Sequence, residues 1–111
     1  MTMHDLSMEI LELQKELERL TEDHKKLGQI KAQKERIYRM ELSKELLKAT
    51  TIEKIAQTAA RDMVNGRENV AKAKEQWSMA ENLQESTQQA IYTVKSKINI
   101  YMEFIKWDRG E

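Results

Sequence analysis

The residues best suited to chemistry form a basic run: Lys31, Lys34, Arg36 and Arg39 surround Tyr38, with Lys44 and Lys48 just beyond. Lysines and arginines on a helix neutralise phosphates without reading sequence, and a nearby tyrosine can stack on an unpaired base. The chemistry is polyanion binding, single-stranded nucleic acid above all. The plain alternative is a solvated helix face with Tyr38 in a core. The bases do not share one side. At 100° per residue Lys34, Lys44 and Lys48 cluster, while Arg36 and Arg39 fall elsewhere. In a ring of subunits, modest charges on each chain would add up by multivalency.

Other chemistry is thinly represented. His4 and His24 stand apart with no motif around either, and the zinc-helix, phosphate-loop and nucleophile-elbow patterns are missing. The chain has no cysteine, which excludes disulfides and thiolate metal sites. The expectation is a protein that is not an enzyme and holds no cofactor and no metal.

The elements that must carry the basic run are helices. Of 111 residues, 34% are charged and 5% aromatic, with no proline and three glycines. This is the composition of long helices and coiled coils, whose core is a narrow seam rather than a globule. Residues 1–23 carry seven acids against two bases, and residues 24–48 carry eight bases against three acids. An acidic block beside a basic block can drive head-to-tail or antiparallel pairing, or offer the basic block to a polyanion. No run of 18 apolar residues exists to span a membrane, and the opening residues lack a signal peptide's basic and apolar regions. The expected compartment is the cytosol, of a host where the chain is viral.

From Leu6 the spacing 4-3-4-3-4-3 runs through Ile10, Leu13, Leu17, Leu20, His24 and Leu27, a heptad seam. His24 reads as the polar residue that sets its register. Asp5 or Ser7 is suited to cap the start. After Gly28 the phase is expected to change, because Ile30, Ile37, Met40 and Leu47 make one arc and Tyr38, Leu42, Leu46 and Ala49 another. Two arcs imply two neighbours, one within the chain and one from another copy. Thr50 to Glu53 reads as a capping box that starts a short helix near residue 51. Its face would be Ile52, Ile55, Ala56, Ala59 and Met63, ended by Asn65-Gly66 in the left-handed conformation. A stripe from Val70 through Ala73, Trp77, Ala80, Leu83, Ala90, Ile91, Val94, Ile98 and Tyr101 to Ile105 marks the last helix. The prediction is one all-α domain, 1–111, with helices over 4–48, 51–64 and 67–108. The two long helices, each roughly 60–70 Å, would form a coiled-coil-like antiparallel hairpin with a short connecting helix.

Residues 98–107 are apolar on several sides, with three of the six aromatics. Such a helix must be surrounded to stay in solution. A homo-oligomer sealed by Ile98, Tyr101, Met102, Phe104, Ile105 and Trp107 is therefore expected.

Residues 29–42, Gln-Ile-Lys-Ala-Gln-Lys-Glu-Arg-Ile-Tyr-Arg-Met-Glu-Leu, together with Trp77 and the later Val94-Lys-Ser-Lys-Ile98, resemble the UvsY family of phage recombination mediators. That family shares an Ile-x-Ala-Gln-Lys helix and a later Trp followed by an Ile-Lys-Ser stretch in a closing helix. The resemblance covers about half the chain. It implies a small helical protein, ring-like through its C-terminal part, that binds single-stranded DNA. Such a protein helps load a recombinase onto strands coated by a single-strand-binding protein. Lys34, Arg39 and Leu42 match the family's basic helix. Glu41 stands where the motif has a second basic residue, and the family's net basic charge is absent. The competing class is a protein-only helical adaptor, or a small phage inhibitor of a host factor, with residues 5–23 as the partner surface.

Overall fold

The computed structural model describes residues 2–110. It contains three helices, α1 (Met3–Thr51), α2 (Gln57–Asn65) and α3 (Glu68–Asp108), and no strand among the described residues. Two compact units divide the chain. The first joins the stretch up to Lys26 to the stretch from Gln84 onward, and the second is Leu27–Leu83.

In the first unit α1 starts on a reciprocal cap. The Thr2 N–H donates to Asp5 Oδ2 at 3.0 Å and the Asp5 N–H donates to Thr2 Oγ1 at 3.1 Å, so two orphan donors are satisfied at once. The Thr2 bonds hold the Asp5 carboxyl below its ordinary range. The heptad seam then packs as expected. Ile10 and Leu13 of α1 join Val94 and Ile98 of α3 in a buried cluster, with Leu17, Leu20, Tyr101 and Ile105 half-buried against it.

In the second unit the antiparallel sense follows from the pairs. Lys31 meets Glu81, Tyr38 meets Trp77, Glu41 meets Asn69 and Glu45 meets Arg67, so α3 numbers fall as α1 numbers rise. Ala49 of α1 is sealed against Ala60 and Val64 of α2, each at 0% exposure, with Leu42, Leu46 and Ile55 around them. From α3 the buried residues are small, Val70, Ala73 and Ala80, with the half-buried Trp77 between them.

Four expectations need correction. The phase does not change at Gly28. The 4-3 ladder continues beyond Leu27 through Lys31, Lys34, Tyr38, Glu41 and Glu45, all half-buried. The arc of Tyr38, Leu42, Leu46 and Ala49 faces inward with it, and the arc of Ile30, Ile37, Met40 and Leu47 is left exposed. The capping box at Thr50 does not form, because α1 runs on to Thr51. Thr50 and Thr51 donate their hydroxyls back to the Leu46 and Leu47 carbonyls, an alternative use of such side chains. Consequently α2 starts at Gln57, and its buried face is Ala60 and Val64. Ile52, Ala56, Ala59 and Met63 are exposed, with Ile55 half-buried. Finally Gly66 is not left-handed. Its φ is −85°, and its N–H donates to the Met63 carbonyl at 3.1 Å. The non-glycine residue in the left-handed region is Lys54, at φ 55°, where the chain leaves α1. There the Ile52 and Glu53 amides both donate to the Lys48 carbonyl.

Candidate functional site: the outer face of α1

The seven residues proposed for nucleic acid all lie on α1 in the second unit, but they divide into two groups. Lys31, Lys34 and Tyr38 belong to the inner ladder. Lys31 Nζ lies 3.6 Å from Glu81. The Tyr38 ring is stacked on Trp77, with centroids 5.4 Å apart, and its hydroxyl donates to Asn65 Oδ1 at 3.2 Å. Arg39 is exposed, yet its Nε and Nη2 both reach Glu35, at 3.2 and 2.9 Å. Arg36, Lys44 and Lys48 are exposed and form no ion pair among the described residues.

The acids of the same stretch are each engaged. Glu35 holds Arg39, and Glu41 accepts from Asn69 at 2.8 Å. Glu45 accepts from Asn69 at 3.1 Å and from Arg67 at 2.5 Å. Arg67 also donates to Glu53 at 2.6 Å. This clamp is legible only from the fold, since its members come from three separate segments. Its bonds to Glu53 and Glu45 raise Arg67 above its ordinary range, and the Arg67 bond holds Glu45 below its own.

The outer face of α1 is therefore cationic and apolar. Ile30, Ile37, Met40 and Leu47 stand 42%, 38%, 63% and 65% exposed. With Gln33 and Lys44 they continue a 3-4-3-4-3 spacing, the pattern of a second seam. Arg36, Arg39, Met40 and Lys44 line an open groove beside it, together with Glu35 and Glu41.

The six residues expected to seal an oligomer also divide. Ile98 is buried within the chain's own core, where Tyr101 and Ile105 pack against it. Met102, Phe104 and Trp107 remain 45%, 52% and 81% exposed. Ile100, at 51%, joins Phe104 and Trp107 at 4-3 spacing on the outer side of α3. Exposed apolar residues at such spacing are the mark of a surface that associates. Among the described residues no three side chains able to hold a metal come together, and no helix is long and apolar enough to cross a membrane.

Comparison with protein-family models, with curated proteins and with solved structures finds no match to the chain. Its class rests on its own architecture, an all-α protein whose two long helices pack antiparallel and keep apolar faces outward.

Proposed function

We propose that the chain is a self-associating helical accessory protein of the recombination-mediator kind. It binds single-stranded DNA along α1 and helps a recombinase onto strands held by a single-strand-binding protein. One observation carries the reading: Arg36, Lys44 and Lys48 are exposed and free of ion pairs among the described residues, while the nearby Glu35, Glu41 and Glu45 are engaged by Arg39, Asn69 and Arg67. The resemblance of residues 29–42 to the UvsY family points the same way. Association of copies through the outer side of α3 would multiply this modest charge. Tyr38 has no base-stacking role in this reading, because its ring faces Trp77.

The test is a titration of a fluorescent oligonucleotide across salt concentrations. The chain should bind and lose affinity steeply with salt, and each of Arg36→Ala, Lys44→Ala and Lys48→Ala should flatten the slope by about 0.7. Lys31→Ala and Arg39→Ala should matter less, since those cations already serve Glu81 and Glu35. No binding at low micromolar protein in about 0.1 M salt would remove the mediator reading. The protein-only adaptor would then stand. It is favoured independently by the exposed ladder Ile30, Ile37, Met40 and Leu47.

A further inference from the structure

The second seam on α1 has apolar residues that its own chain does not cover, and its last two turns are also the most exposed. Met40 and Leu47 stand 63% and 65% exposed, with Lys44 between them and Lys48 beside Leu47. At the other end of α1 the first unit presents the opposite charge around the same kind of surface. Met8 and Leu11 stand 47% and 44% exposed, and Asp5, Glu9 and Glu12 are exposed around them, Glu12 in a solvent-exposed pair with Lys15 at 3.7 Å that a second copy's lysine can replace. Asp5, Met8, Glu9 and Glu12 line a shallow groove. Met8 to Leu11 is a step of three residues, as is Lys44 to Leu47, so each pair occupies neighbouring turns of one helix face.

We infer that Met8 and Leu11, with Glu9 and Glu12, dock on the Met40–Leu47 face of a second copy, where Lys44 and Lys48 receive the two carboxylates. The occupant follows from charge. A second basic face is repelled and a neutral apolar helix leaves the lysines unpaired, whereas the acidic turn supplies both apolar cover and counter-charge. In a parallel in-register pair of identical helices acid would face acid and base would face base, which disfavours that pairing and selects the acid-to-base contact. Exposed ion pairs are individually weak and screened over about 8 Å at physiological salt, so the contact is reversible and salt-sensitive. The contact uses Lys44 and Lys48, which the nucleic-acid reading also uses, but it does not rest on that reading. A polyanion would compete with the second copy for the same cations.

The experiment is sedimentation velocity on the full chain at low salt, with two charge-reversed variants. Lys44→Glu with Lys48→Glu makes both faces acidic, and Glu9→Lys with Glu12→Lys makes both basic. All four side chains are exposed, and circular dichroism verifies that helix content is kept. The wild type should associate in a salt-sensitive way. Each variant alone should lose at least about tenfold in association, and an equimolar mixture should regain it, because one variant then offers only acid and the other only base. A salt-insensitive mass that neither variant changes overturns the inference and leaves association to the outer side of α3. A mixture as dissociated as its parts also overturns it. If, besides, the lysine-reversed variant alone loses oligonucleotide binding, the face belongs to nucleic acid.

Discussion

Tyr38 and Trp77 lie against each other between α1 and α3 of the second unit, rings 29° from parallel and centroids 5.4 Å apart. They are the one stacked aromatic pair described in that part of the seam, where α3 otherwise buries the smaller Val70, Ala73 and Ala80. Their contact therefore fixes the local spacing of the two helices. Tyr38→Ala should destabilise the chain by about 2–3 kcal/mol, combining lost apolar burial with a lost aromatic pair. A double-mutant cycle with Trp77→Ala should show a coupling of about 0.5–1.5 kcal/mol. Denaturant unfolding followed by circular dichroism measures both, and additive losses would deny the contact this role. Trp77 Nε1–H is buried and has no hydrogen-bond partner among the described residues. Trp77→Phe removes that donor while keeping a ring, and should cost clearly less than Trp77→Ala.

Arg67 ties the end of α1, the following turn and the start of α3 together through Glu45 and Glu53. Because Glu45 is held below its ordinary range when folded, the unfolded chain takes up the proton first as pH falls. The stabilisation is thus full above the ordinary glutamate range and is lost as pH falls through it toward the depressed folded value. Melting temperature measured from pH 7 to pH 3 should drop more steeply for the wild type than for Glu45→Gln. Parallel curves would show that the bond to Arg67 contributes no pH-dependent stability.

The first half of the α1 seam is readable from local spacing, since Leu6, Ile10, Leu13, Leu17 and Leu20 are apolar at 4-3 intervals and bury as that pattern requires. Beyond Gly28 polar residues enter the inner ladder beside Tyr38, Leu42, Leu46 and Ala49, and spacing alone offers two arcs without saying which one the chain itself covers. Lys31, Glu41 and Glu45 can face α3 because Glu81, Asn69 and Arg67 meet them, partners more than 20 residues distant. Ile30, Ile37, Met40 and Leu47 look like core by type, yet no element of their own chain covers them. The same limit applies at the basic run. Residue type marks seven candidates, but only the fold separates Arg36, Lys44 and Lys48 from Lys31, Tyr38 and Arg39, which are already engaged.

The exit from α1 carries a locally unfavourable residue. Lys54 adopts φ 55°, where a Cβ crowds the following carbonyl and costs roughly 1–2 kcal/mol. Lys54→Gly removes that cost but enlarges the freedom of the unfolded chain. The net expectation is a gain of about 0.5–1 kcal/mol in unfolding free energy. Lys54→Val should do the reverse, since a β-branched residue tolerates this region least. Thermal melts of the two variants decide the matter, and the ranking Gly, Lys, Val is the required outcome.

On α3 the inner and outer sides of residues 98–107 can be tested separately. Ile98 is 8% exposed and packs with Ile10, Leu13 and Val94, whereas Phe104 and Trp107 face outward at 52% and 81%. Ile98→Ala removes buried atoms from the core and should cost about 2–4 kcal/mol of unfolding free energy. Phe104→Asp with Trp107→Asp changes two side chains outside the buried cluster and loses only the Tyr101–Phe104 ring contact in the single chain, so helix content should persist. In an assembly sealed on that side the same change buries unpaired carboxylates, which costs several kcal/mol and should dissociate it. Light scattering at tens of micromolar protein gives the mass, and circular dichroism gives the helix content. A wild type that is monomeric under those conditions, or a double variant that keeps the wild-type mass, removes the outer side of α3 from the assembly.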